Sequence, residues 1–119
     1  MLLSACTPAE SAAGGEDGEG LGVVASTSIL ADVVQNVAGD AAEVTSLIRR
    51  GADPHSYEPT LHATRDIAYA DAVFTNGLLL EPQALTRTIA STARPDAHVV
   101  ALAEQTQRYG YAPIPLVED

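Results

Sequence analysis

Val23-Val24-Ala25-Ser26-Thr27-Ser28-Ile29-Leu30-Ala31-Asp32-Val33-Val34-Gln35-Asn36-Val37 holds two hydrophobic periods joined by three hydroxyl residues. Val23-Val24-Ala25 is a short run rich in β-branched side chains, the composition of a strand. Ser26-Thr27-Ser28 is a cluster of residues whose side-chain oxygens accept from the free N–H groups of a helix's first turn. Beyond it, Ile29, Leu30, Val33, Val34 and Val37 recur at i, i+1, i+4, i+5 and i+8, one face of an α-helix. Gly39 stops that helix, because it takes a positive φ without steric cost. The stretch predicts a strand feeding straight into a helix from Ser28 to about Ala38. That helix should rank among the most buried elements, with Val33 and Val34 turned to the core. A hydroxyl cluster at a helix start is also a possible anion site, but capping alone accounts for it.

The same alternation continues outward. Val44 to Ile48 is a second strand, broken by Arg49-Arg50-Gly51-Ala52-Asp53-Pro54, and a helix follows from Thr60 or Leu61 to about Ala70. Ala72-Val73-Phe74-Thr75 is the third strand, ended by Asn76-Gly77. Glu81-Pro82 then opens a helix whose inner face carries Leu85 and Ile89, with Pro82 at the first helical position, where its missing N–H does no harm. Arg94-Pro95-Asp96 ends it, and His98 to Leu102 is the fourth strand. After Ala103 the chain reads polar and irregular. Strands alternating with single helices predict an α/β fold, a four-stranded parallel sheet with helices on both faces. Right-handed crossovers leave few topologies, of which the order 2-1-3-4 is favoured. In such sheets ligands sit at the carboxyl ends of the strands, near the point where the strand order reverses. That places interest on Ser26–Ser28, Arg49–Thr60 and Asn76–Pro82.

Composition narrows the function. The chain has 119 residues, 46% of them apolar but only 4% aromatic, so its core rests on Val, Leu, Ile and Ala. The formal charge is −10 and all six basic residues are Arg. Nucleic-acid binding rests on neutralising phosphates with Lys and Arg, so nucleic acid is excluded as a partner. No run approaches the ~18 apolar residues that a membrane span needs. Enzyme activity is not expected either: there is no activated Ser or Cys, no glycine-rich phosphate loop after a strand, and no carboxylate pair with His support.

Two segments precede the folded region. Residues 1–6 end in Leu3-Ser4-Ala5-Cys6, which resembles a bacterial lipobox, in which the lipid is carried on the cysteine, here Cys6. The part of a secretory signal before it is confined to Leu2 and Leu3, short of a full leader. Residues 7–20 are small, acidic and glycine-rich, a composition that cannot offset chain entropy and is expected to form a tether. Residues 21–119 form the domain.

The segment Gly51-Ala52-Asp53-Pro54-His55-Ser56-Tyr57-Glu58-Pro59-Thr60 stands apart. One Gly and two Pro restrict the backbone on either side of His55, holding an imidazole beyond a strand end. Neutral imidazole is the commonest protein donor to zinc-type ions, and fixing it in advance lowers the cost of binding. By itself a His in a polar loop is more often merely solvated. Glu58 is placed either to orient that imidazole or to cap the following helix, the cap being the more ordinary use. Asn76 and Glu81 are expected to shape the strand-end loop, and Tyr57 to pack.

Asp53-Pro54-His55-Ser56-Tyr57-Glu58-Pro59 closely resembles the D-P-H-x-Y-E-P signature of the zinc and manganese solute-binding lipoproteins of ABC importers. Val24 to Asp32 is similar to that family's first strand and helix. Ala70-Asp71-Ala72-Val73-Phe74-Thr75-Asn76-Gly77-Leu78-Leu79-Leu80-Glu81 resembles its A-D-x-x-F-x-N-G-x-x-L-E segment. The likeness runs from about Gly22 to Leu102. It implies one lobe of a two-lobed binding protein, lipid-anchored at Cys6 outside the cytoplasmic membrane. The cargo would be Zn2+ or Mn2+, and the partners an ABC permease and ATPase. His55 matches the family's first metal ligand. The family completes its site with another His, a Glu or His, and an Asp, at later positions that have no counterpart in this sequence. His62, on a helix, and His98, at the amino end of a strand, do not replace them. The rival expectation is a lobe without tight metal binding that serves as a surface-anchored interaction or adhesion domain.

Overall fold

The computed structural model describes residues 20–115. The tether, Cys6 and the lipobox lie outside the described residues, apart from Gly20. Four strands form one parallel sheet: β1 (Leu21–Thr27), β2 (Ala42–Ile48), β3 (Ala72–Thr75) and β4 (His98–Ala101). Their order is β2-β1-β3-β4, as the crossover rule predicts. β1 pairs with β2 from Leu21 opposite Ala42 to Thr27 opposite Ile48, and with β3 through Val24 opposite Val73. The helices between them are α1 (Ser28–Ala38), α2 (Leu61–Tyr69) and α3 (Gln83–Thr92). A short α4 (Leu102–Thr106) and a 3-10 turn (Gln107–Tyr109) follow β4 directly, where the sequence suggested irregular chain. A helix of little more than one turn is too short to establish a hydrophobic period.

The connection from β1 to β2 runs one way along the sheet and that from β3 to β4 runs the other. Right-handed crossovers therefore put α1 on one face and α2 with α3 on the opposite face. The core lies on the two-helix face. Val24 and Val73 of the central strands meet Ala63, Ile67, Leu85 and Ile89, with Leu47 and Ile48 closing one side. These residues are almost wholly removed from water. Thr60 begins α2 by accepting the Ala63 N–H at 3.1 Å, and Thr27 begins α1 by accepting that of Leu30 at 3.3 Å. Pro82 stands just outside α3 in extended conformation rather than at its first helical position.

The opposite face corrects the expectation for α1. No residue of this helix is buried. Val34 and Leu30 are half-buried, whereas Ile29, Val33 and Val37 are 76%, 51% and 85% exposed. The five apolar side chains span a wider arc than a flat sheet can cover. Leu30 and Val34 take the sheet side and the remaining three turn outward. α1 packs chiefly on β1 and β2, and on the β3 and β4 side of this face Phe74 and Val100 stay half-exposed. Gln35 ties α1 to β2 instead. Its amide donates to the Gly39 and Ala42 carbonyls at 2.8 and 3.0 Å, and its oxygen accepts from the Val44 N–H at 3.2 Å.

Candidate metal site at the carboxyl ends of the strands

The Asp53-Pro54-His55-Ser56 segment folds as a single 3-10 turn, Pro54–Ser56, directly after the loop that leaves β2. Each residue has a part in it. The Asp53 carboxylate accepts the His55 backbone N–H at 2.9 Å and the Ser56 hydroxyl at 3.2 Å. Pro54 occupies the first position of the turn, where its fixed φ and missing N–H suit the geometry. Gly51, at φ 83°, supplies the left-handed residue that reverses the chain before the turn. His55 is thus held through its backbone, leaving an exposed side chain free to bind. Tyr57 is half-buried and packs against the core, which anchors the other end of the loop.

A hollow of about 290 Å³ opens beside this turn, at the ends of β1, β2 and β3. Thr27, Ile48, Arg49, Pro54, Asn76 and Leu80 contribute to its lining, Arg49 being its one charged side chain. A larger hollow, about 620 Å³, lies at the amino ends of the strands, lined by Gly22, Arg65, Asp71 and Arg94 among others. Within it Arg94 and Asp71 pair with each other at 2.8 Å. The smaller hollow lies where strand topology places ligands.

Glu81 and Asn76 come together at the floor of the loop after β3. Glu81 is buried, and its carboxylate accepts three hydrogen bonds. Oε1 takes the Ser26 hydroxyl and the Asn76 N–H, both at 2.6 Å, and Oε2 takes the Gly77 N–H at 3.0 Å. Ser26, fully buried at the end of β1, was expected only as part of a capping cluster. In the sequence it is the first of three consecutive hydroxyl residues, and nothing there sets it apart from Thr27 and Ser28. The loop above is strained: Gly77, Leu78 and Leu79 have φ of 76°, 53° and 64°. A residue with a Cβ costs roughly 1–2 kcal/mol in this region. The Leu78 N–H donates to Glu104 of α4 at 3.2 Å, and the Ala103 N–H donates to the Asn76 carbonyl at 2.9 Å. The short helix that the sequence did not reveal therefore braces this loop.

Glu58 lies on the loop between the His55 turn and α2. It is exposed, no hydrogen bond joins it to His55, and Thr60 provides the cap of α2. His62 is exposed beside Asp66 at 3.5 Å, and His98 begins β4 at the amino edge of the sheet. Among the described residues, no three His, Cys, Asp or Glu side chains converge in a way that could hold a metal. His55 thus stands exposed and alone on the turn whose Pro54 lines the strand-end hollow.

A family model described as the periplasmic component A of the zinc-uptake complex, ZnuA, matches residues 23–115. The manganese-binding lipoprotein MntA of Halalkalibacterium halodurans is 41% identical over 95 residues, spanning 80% of this chain. This chain covers 31% of that relative's length. A metal-free periplasmic metal binding protein of Candidatus Liberibacter asiaticus superposes with a TM-score of 0.70 at 32% identity, over 82% of this chain and 33% of that one. The periplasmic zinc binding protein TroA of Treponema pallidum gives 0.63 at 32% identity, over 69% and 29%.

Proposed function

We propose a function from one premise: this chain belongs to the ZnuA family, the periplasmic component A of zinc-uptake complexes. It acts as part of an extracytoplasmic solute-binding protein that captures a divalent transition metal, Zn2+ or Mn2+, and delivers it to an ABC permease and its ATPase. The relatives named above as manganese-binding and zinc-binding support that cargo. Cys6, in its lipobox-like setting, carries the lipid that holds the protein at the outer face of the membrane. Cys6→Ser should release the protein from the membrane fraction, and retention there would count against lipidation.

The observation that carries the proposal is the turn at Pro54–Ser56, which fixes His55 at the carboxyl ends of the strands while leaving its imidazole free. A neutral imidazole so placed supplies one nitrogen donor. High-affinity zinc sites take three or four protein ligands, so the 119-residue chain by itself should bind weakly. This chain spans about a third of its relatives' length, and the proposed transport activity belongs to a protein that supplies the other donors. Isothermal titration of this chain with Zn2+ should give a dissociation constant of about 100 μM or weaker, corresponding to roughly −5.5 kcal/mol. His55→Ala should remove the binding. A sub-micromolar constant that survives His55→Ala would place the metal elsewhere.

A further inference from the structure

We infer that Glu81 is a positioning residue for the metal-binding hollow, a reading that rests on His55 being the ligand proposed above. Its carboxylate lies in the crevice between β1 and β3, where the connections depart in opposite directions along the sheet. In open α/β sheets this is where a ligand enters. Two backbone N–H groups and a buried hydroxyl converge there, an arrangement that would otherwise suit an anion from solution. Glu81 fills it from within the chain.

Two consequences reach His55. The first is geometric. Glu81 holds the backbone of Asn76, and Asn76 lines the same hollow as Pro54, the neighbour of His55. It also holds Gly77 at the start of the left-handed run, so the strained wall of the hollow is fixed before any ligand arrives. The second is electrostatic. No cationic side chain among the described residues pairs with Glu81. Its three donors are neutral, while Arg49 lines the hollow beyond them. The Glu81 carboxylate offsets that positive charge at the wall and leaves no donor in the crevice free for phosphate or carboxylate ligands. Glutamine cannot substitute fully, because it offers one oxygen and would set its amide N–H group against the N–H of Gly77.

The test uses the whole 119-residue chain labelled with 15N and titrated with Mn2+, whose paramagnetism broadens nearby amide signals. In the parent, the amides of His55, Ser56 and Tyr57 should broaden with Mn2+, and His55→Ala should abolish this. In Glu81→Gln the Gly77 amide should exchange with water faster. The Mn2+ concentration giving half-broadening should rise clearly above the parental value. Ser26→Ala removes one donor and no charge, and should shift the Asn76 amide and weaken Mn2+ in the same direction by a smaller factor. A folded Glu81→Gln protein with parental Gly77 exchange and parental Mn2+ response overturns the inference and leaves His55 in place. Broadening that persists in His55→Ala overturns the ligand reading itself, whatever Glu81 does. If Glu81→Gln does not fold, Ser26→Ala decides: no change in the Asn76 amide or in the Mn2+ response overturns the inference.

Discussion

Asp71 and Glu81 flank the same strand, β3, and both reach across to β1. At the amino end, Asp71 accepts the Gly22 N–H at 2.8 Å, and its own N–H donates to the Gly22 carbonyl at 2.8 Å. At the carboxyl end, Glu81 accepts the Ser26 hydroxyl at 2.6 Å. Mechanically the two carboxylates do one job, which is to lock the central strand pair in register. Their surroundings differ. Asp71 is half-exposed and faces the Arg94 guanidinium at 2.8 Å, which in turn approaches Asp96 at 3.3 Å. Glu81 is buried, and only neutral donors reach it. The fold pairs the carboxylate with a cation at the amino end and holds the one at the carboxyl end by neutral donors alone.

The sharpest way to break that contrast is to remove each side chain in turn. Glu81→Ala leaves the Ser26 hydroxyl and the N–H groups of Asn76 and Gly77 without their acceptor in a buried setting. Each unsatisfied group costs about 1–3 kcal/mol, less what entering water recovers, so a loss of about 3 kcal/mol is expected. It also frees the left-handed run that the carboxylate holds. Asp71→Ala should cost clearly less, because solvent reaches the groups it leaves behind. Urea unfolding of both variants measures the difference. Equal losses would mean that the two ends of the sheet are built alike.

A second effect is smaller and depends on pH. The Asp71 carboxyl is held below the usual carboxylate range, first by the Gly22 N–H and then by the hydrogen bond and charge of Arg94. The folded state therefore binds this proton less readily than the unfolded chain, whose Asp titrates near about 3.9. The stabilisation is fully present above that value and is lost as pH falls through the lower folded pKa. The stability gap between the parent and Asp71→Asn should be flat above about pH 5 and should narrow below about pH 4. Urea midpoints collected from pH 3 to pH 7 test it. A gap that persists unchanged to pH 3 would show that the ion pair contributes nothing.

Much of this was legible in the sequence, and the part that was not has a physical reason. The strand order followed from alternating periods and crossover handedness, which depend only on local pattern and chirality. The Asp53-Pro54-His55-Ser56 turn was legible because its hydrogen bonds close within four consecutive residues. The Ser26–Glu81 contact was not, because it joins residues that only the finished sheet brings together. Glu81 could be marked as shaping the loop, but its partner on β1 could not be named. The Glu104 brace on Leu78 was hidden for the same reason, and because α4 is too short to show a period. The burial of α1 was misjudged because hydrophobic spacing reports which residues share a face, not whether the rest of the fold covers it.

That last error supplies the smallest effect and the finest test, because α1 carries its covered and uncovered sides on adjacent residues. Val34 is half-buried and belongs to the side packed on β1 and β2, while Val33 is 51% exposed and points outward between Ile29 and Val37. An aspartate at Val34 must desolvate its charge against the sheet, with no cationic partner at hand, and should cost about 2 kcal/mol. An aspartate at Val33 keeps its charge in water and gives up only part of a valine's contact. Its effect should stay within about 0.5 kcal/mol, the range of ordinary surface substitutions. Helix propensity does not separate the two, since the same exchange is made in the middle of the same helix. The difference between the two unfolding free energies therefore reports the side of the helix alone. Should Val33→Asp prove as damaging as Val34→Asp, the outward stripe of α1 must be covered in solution, and the two faces of the sheet would be more alike than the structure makes them.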